Sequence, residues 1–560
     1  MTERARRTAA AVLATLLLVV LAACSSIPRA GQVETGDAIG TDDDIDVIFL
    51  AADPTAGATQ QEILNGFILA AKSPQDDYAI ARRYLTDDAA DAWRPNEGTT
   101  VDSGPRPATS LNDTTLQISV SEVARVDGNG SYTETGPGAP TALQFGFTQV
   151  DGEWRINDLA DGIVIEELFF DQVFTAHALY FYDPTFTYLV PDLRWFPTST
   201  AVGTRVVRAL LVGPSAWLGD GAVVTAFPDG TITPAVVTTG GQTQVELSSN
   251  VLQADAVDLQ RMQRQLSASL SDLASASNIA ISVDQNIVPI PATPALAPEP
   301  STRVDSRPLV VRDGAFGYLA GGGVAAVEGI SAGVESLQPV SAAYSETAGL
   351  AAVGAAAGGV YAVRAGEAPV VLDQRPALIA PAVDPFGYVW SVPSGSPTEL
   401  SAFGAEGAVP AVPTNWDGAT SITSFEISRD GTRALAFLSV DGVPKLVVAA
   451  VIRNQDGVPQ QLGRPVELRT TPGTPVGATW VDQLSVASVT GLASGEARAT
   501  TQTLGGRSTS LGSPTGAVAI AGGNDLDGLR VLSAEGGLLQ QRGSAWQTQA
   551  GGISRLAVQN

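Results

Sequence analysis

Residues 422–437 read ITSFEISRDGTRALAF: an alternating apolar run, a polar turn at Asp430-Gly431, and a second apolar run. Two short strands around a tight turn are the simplest reading of that pattern. Working outward, units of the same make-up begin at Val340 (VSAAYSETAGLAAV), Pro381 (PAVDPFGYVWSV), Val476 (VGATWVDQLSVASV) and Ala517 (AVAIAGGNDLDGLRVL). The starts recur roughly every forty residues, apart from one longer interval that holds RNQDGVPQQ, and strand-only repeats of that period predict propeller blades. PLVVRDGAFGYLAGGGVAAV, from Pro308, adds a sixth unit. An all-β, six-bladed propeller is therefore predicted over 308–560. ISRLAVQN (Ile553–Asn560) is predicted to pair with the first blade, so that the ring has no open edge there.

Upstream, VPIPATPALAPEP (Val288–Pro300) is an extended, semi-rigid stretch, and 288–307 reads as a linker. Before it, helix and strand patterns mix. Ile63, Leu64, Phe67, Ile68 and Ala71 share a helical face that Ser73-Pro74 ends. DDYAIARRYLTDDAADAW predicts a second helix, stopped by Pro95. Leu116, Ile118 and Val120 alternate in LQISVSEV, and LQFGFTQVDGEWRI reads as a hairpin around Asp151-Gly152. Residues 53–165 are thus expected to be an α+β domain.

A second α+β unit is expected over 166–287. HALYFYD predicts a strand and YLVPDLRWFP a loop with buried aromatics. AVGTRVVRALLVGPSAWL predicts a helix with the stripe Val202, Val206, Ala209 and Leu210, capped at Gly213-Pro214. Strands are expected at AVVTAF and TQVELS. A long helix should carry Leu259, Met262, Leu266, Leu270 and Leu273, and IAISVD should close the unit as a strand.

The N-terminus carries a processing signal. Arg4, Arg6 and Arg7 precede an uncharged, mostly apolar run from Thr8 to Ala23, shorter than the roughly 20 residues a bilayer-spanning helix needs. The run closes on Leu21-Ala22-Ala23-Cys24, and Cys24 is the only cysteine in the 560 residues. Residues 1–23 are read as a signal peptide and 24–52 as a solvated tether. Within the tether, Asp42, Asp44, Asp46 and Asp53 have a superficial calcium-loop spacing. Val47 stands where that loop needs Gly, and Asp53 is not the usual bidentate Glu, so an acidic solvated stretch is the better reading.

Composition narrows the chemistry. The net charge is −26, and removing residues 1–23, with three Arg and one Glu, leaves −28. So acidic a body is repelled by nucleic acid and by anionic lipid. With one His (His177) and one Cys, the chain lacks the usual ligands for zinc or transition metals and the base for Ser-His-Asp or Cys-His catalysis. No cofactor, metal site or catalytic residue is assigned, and His177 is read as structural. GISAG (Gly329–Gly333) matches a nucleophile elbow, but no His follows Ser331, so it is read as a blade turn. GGGVAA (Gly321–Ala326) matches a dinucleotide fingerprint but opens no helix, and is read as a hairpin. Trp390, Trp416, Trp480 and Trp546, at blade spacing, are read as core.

Three stretches carry a resemblance to known families. Leu21-Ala22-Ala23-Cys24 resembles the bacterial lipobox, which implies cleavage between Ala23 and Cys24, S-diacylglycerol and N-acyl (palmitate-type) modification of Cys24, and a lipid-anchored protein on the extracytoplasmic face of the cell membrane. The helices and sheet of 53–165 resemble NTF2-like and cystatin-like folds. LYFYD, LVPDLRWFP and VVRALLVGPSAWL resemble the GerMN domain of the actinobacterial LpqB lipoprotein family, whose propeller ISRDGTR also resembles. That family implies a non-enzymatic protein acting by contact beside the MtrA–MtrB two-component system, its partner the extracytoplasmic sensor domain of the MtrB-like histidine kinase, in envelope homeostasis and cell division. The competing expectation is a module that binds cell-wall glycan or peptidoglycan, or a carboxylate-dependent hydrolase. Exposed Trp and Tyr beside paired carboxylates in one groove would mark it.

Overall fold

The computed structural model describes residues 52–560 apart from 137, 200, 240–241, 274–277, 291–302, 406 and 544. The signal peptide, Cys24 and nearly all of the tether lie outside the described residues, as does most of the Pro-rich stretch.

The first domain opens with the helix Gln60–Ala70. Thr59 accepts from the Glu62 N–H while the Glu62 carboxylate accepts from the Thr59 N–H, a reciprocal cap. Ile63, Leu64, Phe67 and Ile68 turn the buried face to the core. The single helix expected next is instead three pieces, Gln75–Asp77, Ala79–Arg82 and Asp87–Ala92. Sheet hydrogen bonding breaks it: Leu85 bridges to Ile156, the Thr86 N–H donates to the Ile156 carbonyl, and the Thr86 side chain then caps the last piece. Behind the helices lie two four-stranded sheets. One is antiparallel (108–112, 115–120, 141–150, 153–158) and the other mixed (132–134, 122–127, 98–102, 163–166). LQISVSEV is therefore two strands, which part at Ser121 to join different sheets. Asp151 and Gly152, with φ of 54° and 85°, form the expected hairpin turn.

In the second domain Phe174–Tyr182 pairs antiparallel with Leu189–Pro197, so YLVPDLRWFP is a strand and not a loop. Its charges, Asp192 and Arg194, are buried because they satisfy each other, and Pro191 is tolerated because a two-stranded ribbon consists only of edges. AVVTAF forms no strand: within it only Val224 bridges, to Tyr182. The helix Val202–Val212 buries Val206, Val207, Ala209 and Leu210, and Gly213, with φ 116°, ends it. The helix Ala256–Ser269 is capped by Asp255, which accepts from the Val257 and Asp258 N–H groups. Its apolar stripe packs on the sheet 236–239, 242–246, 279–283 and 286–287, whose central pair is parallel.

The third domain is a six-bladed propeller. Its inner strands are 339–345, 382–383, 419–427, 474–480, 517–521 and 553–556. Each touches the next around the ring, and 553–556 touches 339–345. The first blade takes three strands from 309–326 and its innermost strand from Ile553–Leu556, in antiparallel register with Val310 opposite Leu556. Val558 then pairs parallel with Ala343 of the second blade, so one short segment finishes both blades. GGGVAA is the hairpin turn expected, with Gly321 and Gly322 at φ of 58° and 83°. GISAG is more than a turn, since Ser331–Ser336 is a short helix.

Candidate functional site: the three-domain junction and the propeller axle

Most residues singled out by motif are committed to packing. The Ser331 hydroxyl is buried, donating to the Phe316 carbonyl at 2.7 Å and accepting from the Val327 N–H at 2.8 Å. His177 is 3% exposed and opposite Arg194 in the ribbon, and neither ring nitrogen has a hydrogen-bond partner among the described residues. Burial lowers its pKa, against an opposing pull from Asp272. Trp390, Trp416 and Trp480 are buried, and the half-buried Trp546 donates from Nε1 to the Leu511 carbonyl. Asp53 pairs with Arg83 at 2.6 Å. Among the described residues no group of three or more His, Cys, Asp or Glu side chains is placed to hold a metal ion.

The blocks DLRW and VGPS of the second domain meet at one carboxylate. Asp192 accepts from Arg194 Nε and Nη2 at 3.1 and 2.7 Å, and from the Ser215 N–H and hydroxyl, both at 2.7 Å. Arg194 in turn donates to the Gly213 carbonyl and, across the domain boundary, to the Asn129 carbonyl at 2.9 Å. Both charged groups are almost wholly buried and fully used, the condition under which a buried ion pair is tolerated.

Beside that pair, Trp195 joins all three domains. Its N–H donates to the Gly130 carbonyl of the first domain, and its indole Nε1–H to the Gly505 carbonyl of the fifth blade, both at 2.8 Å. Its ring packs against Phe170 and Tyr132 at centroid distances of 5.0 and 5.9 Å. Two glycines permit this closeness. A Cβ on Gly130 would stand 2.9 Å from the Trp195 carbonyl oxygen, and one on Gly505 would stand 2.8 Å from that of Leu193. Around the rings lies a polar margin. Asp171 pairs with Arg507 at 2.7 Å, while Glu134 takes hydrogen bonds from Ser508 and Gln502 and lies 3.5 Å from Arg469.

The propeller is stitched blade to blade by buried charge. In ISRDGTR, Asp430 accepts from the Ser428 and Thr432 hydroxyls and the Thr432 N–H, and it pairs with Arg433, which reaches the Gln483 carbonyl of the fifth blade. Burial alone would raise the Asp430 pKa, but Arg433 and the hydroxyls outweigh it and hold the carboxyl below its ordinary value. Arg453 of the fourth blade pairs with Asp384 of the third at 2.6 Å, both wholly buried, and lies over the Phe386 ring. Phe386 also meets Tyr188 of the second domain edge-on, and Ala450 and Ile452 of the fourth blade complete that domain's core.

The inner strands enclose an axial tunnel of about 350 Å³. Val340 and Val518, about half exposed, stand at its open mouth, where the inner strands begin. Glu426 lines its wall, with Oε2 accepting from the Thr479 hydroxyl and the Trp480 N–H, both at 3.0 Å. Burial pushes this carboxyl up to about 8 despite those bonds and the nearby Arg429. Asn560 crosses the far end, donating from its N–H to the Tyr344 carbonyl and from Nδ2 to the Ile427 carbonyl. Beyond it lies a second cavity of about 410 Å³, lined by Arg303, Asp305, Tyr318, Tyr344, Glu346 and Arg429. Sequence reading missed the Trp195 junction, Glu426 and this cavity. An acid inside the apolar alternation FEI was the available signal for Glu426. Nothing local marks Gly505 or the paired tyrosines.

Three family descriptions match the chain in order: "Lipoprotein LpqB, N-terminal domain" over 53–171, "Sporulation and spore germination" over 178–288, and "Lipoprotein LpqB beta-propeller domain" over 311–556. The chain is 31% identical to "Lipoprotein LpqB" of Thermobifida fusca over 306 residues, 52% of this chain and 49% of the relative. It is also 31% identical to that of Cutibacterium acnes over 290 residues, 49% and 46% of the two. The matched region thus spans about half the length of these relatives. Among solved structures, the first GerMN domain of the sporulation protein GerM from Bacillus subtilis aligns at 18% identity over 22% of this chain and 94% of its own, with a TM-score of 0.18. A nidogen/laminin complex chain aligns at 11% identity over 43% and 91%, with a TM-score of 0.32.

Proposed function

The chain belongs to the LpqB lipoprotein family, and on that premise we propose that it is a lipid-anchored protein of the extracytoplasmic membrane face that acts by contact rather than catalysis. Its partner in this reading is the extracytoplasmic sensor domain of an MtrB-like histidine kinase, whose signalling it modulates in envelope homeostasis and division. The observation that carries the reading is the junction at Trp195, which holds all three domains in one body. A body of that kind presents a fixed surface, and preorganisation reduces the ordering that binding requires. A diacylated Cys24 supplies two acyl chains, the number stable anchoring takes, and confines the protein near membrane-embedded partners. No helix among the described residues is long and apolar enough to cross a membrane.

The test is capture from solubilised membranes with the purified sensor domain on one resin and purified cell-wall glycan on another. Retention on the sensor domain is expected. Retention on glycan with none on the sensor domain would overturn the kinase reading. Cys24→Ser is expected to leave the protein unprocessed or release it from the membrane with its fold intact. Membrane attachment equal to wild type would remove lipidation from the account.

A further inference from the structure

The cavity beyond Asn560 gathers polar groups that the fold leaves without partners. Tyr318 and Tyr344 are more than nine-tenths buried, yet neither phenol makes a hydrogen bond among the described residues. Burial raises the pKa of both, so each is a neutral O–H donor at physiological pH. Asn560 Oδ1 and Arg429 Nε, on the same cavity, are buried with no hydrogen-bond partner among the described residues. Buried polar groups are ordinarily satisfied, so two such atoms beside two phenols that donate to no described residue point to something that satisfies them.

We propose that this cavity binds a saccharide ring, through the Tyr318 and Tyr344 hydroxyls, Arg429, Asn560 and Glu346. Charge selects the class. A bare anion would face Glu346 and the Asp305 carboxylate, which Arg307 holds, while a cation would face Arg303 and Arg429. An apolar ligand would leave every one of these groups unsatisfied, which disfavours it strongly. A polyhydroxylated ring is neutral and carries donors and acceptors on all sides, so it matches phenol and guanidinium donors together with amide and carboxylate acceptors. The volume, about 410 Å³, lies within the range of small-ligand pockets. The inference is independent of the kinase contact, since it concerns the axle and not a docking face.

The test is saturation-transfer difference NMR on the full chain in detergent micelles. The probes are glucose, N-acetylglucosamine and its linear tetramer, with inorganic phosphate followed by its own resonance. Transfer to at least one sugar is expected. Tyr318→Phe with Tyr344→Phe, which keeps both rings and an unchanged melting profile, is expected to weaken that binding roughly tenfold or more, the loss of two hydrogen bonds. Val518→Trp, at the opposite mouth of the tunnel, should leave it unchanged. A monosaccharide signal would identify a free sugar as sufficient, and a tetramer-only signal a glycan chain; either supports the site. No transfer to any sugar, transfer undiminished in the double variant, or binding of phosphate alone would overturn it.

Discussion

Glu426 is a carboxylic acid held where its charge is disfavoured, and this gives the fold a pH dependence with a definite sign. Its pKa is raised from 4.5 to about 8 on folding, so the folded state holds the proton more tightly than the unfolded chain. The stability this confers is complete below pH about 4.5 and is lost as pH rises through about 8. The propeller should therefore melt lower at pH 9 than at pH 6. Glu426→Gln, which keeps an acceptor for Thr479 and Trp480, should remove a loss on the order of 3 kcal/mol. Melting curves of the two proteins across that range check it. Asp192 makes a second prediction. Asp192→Ala strands the buried Arg194 and two donors of Ser215, so it should destabilise by about 3–5 kcal/mol. Chemical denaturation measures that, and a change under 1 kcal/mol would contradict the central place given to this carboxylate. Residues of this kind were half legible. The sequence displays Asp192 and Arg194 two apart in an apolar run, but alternation alone does not reveal whether such charges face water or each other.

At the scale of elements, periodicity reported most of the fold. The capped helix at Gln60, the Asp151-Gly152 hairpin and the blade starts follow from local chemistry that no distant contact overrides. The failures share a cause, since each was decided by backbone pairing with another segment, adjacent in one case and distant in the other. YLVPDLRWFP becomes a strand because Phe174–Tyr182 offers it a ladder, and DDYAIARRYLTDDAADAW breaks because Ile156 captures Thr86. The closing segment was legible because a ring requires one. Its removal is a direct test: a chain ending before Ile553 leaves Leu309–Arg312 and Pro339–Ser345 each without an inner or lateral partner. Hydrogen exchange should then show amide protection lost from the first two blades well before the fourth, whose contacts with its neighbours remain. Equal protection in all six blades would rule out that closing role.

The whole molecule is governed by the junction at Trp195. Three domains share one indole, two close-approach glycines and a margin of ion pairs, so they should unfold as one cooperative unit. Trp195→Ala combined with Arg507→Ala should split a single calorimetric transition into at least two, the propeller melting apart from the N-terminal domains. A transition that stays single would mean that the contacts around Phe386 and Ala450 suffice. None of this was legible in the sequence, where Gly505 lies 310 residues from Trp195.

The first blade borrows its innermost strand from Ile553–Leu556, and for a chain exported and acylated as proposed above this sets an order of events. Such a polypeptide would thread through a translocation channel from its beginning, so that Cys24 would reach the membrane while hundreds of residues were still inside. Acylation would then precede closure, and the half-made ring of blades would wait, moored, for Ile553–Asn560 to arrive. A cell that stalls secretion late would hold a population already fixed to the bilayer with its ring unsealed, exposed to envelope proteases until the final eight residues emerge.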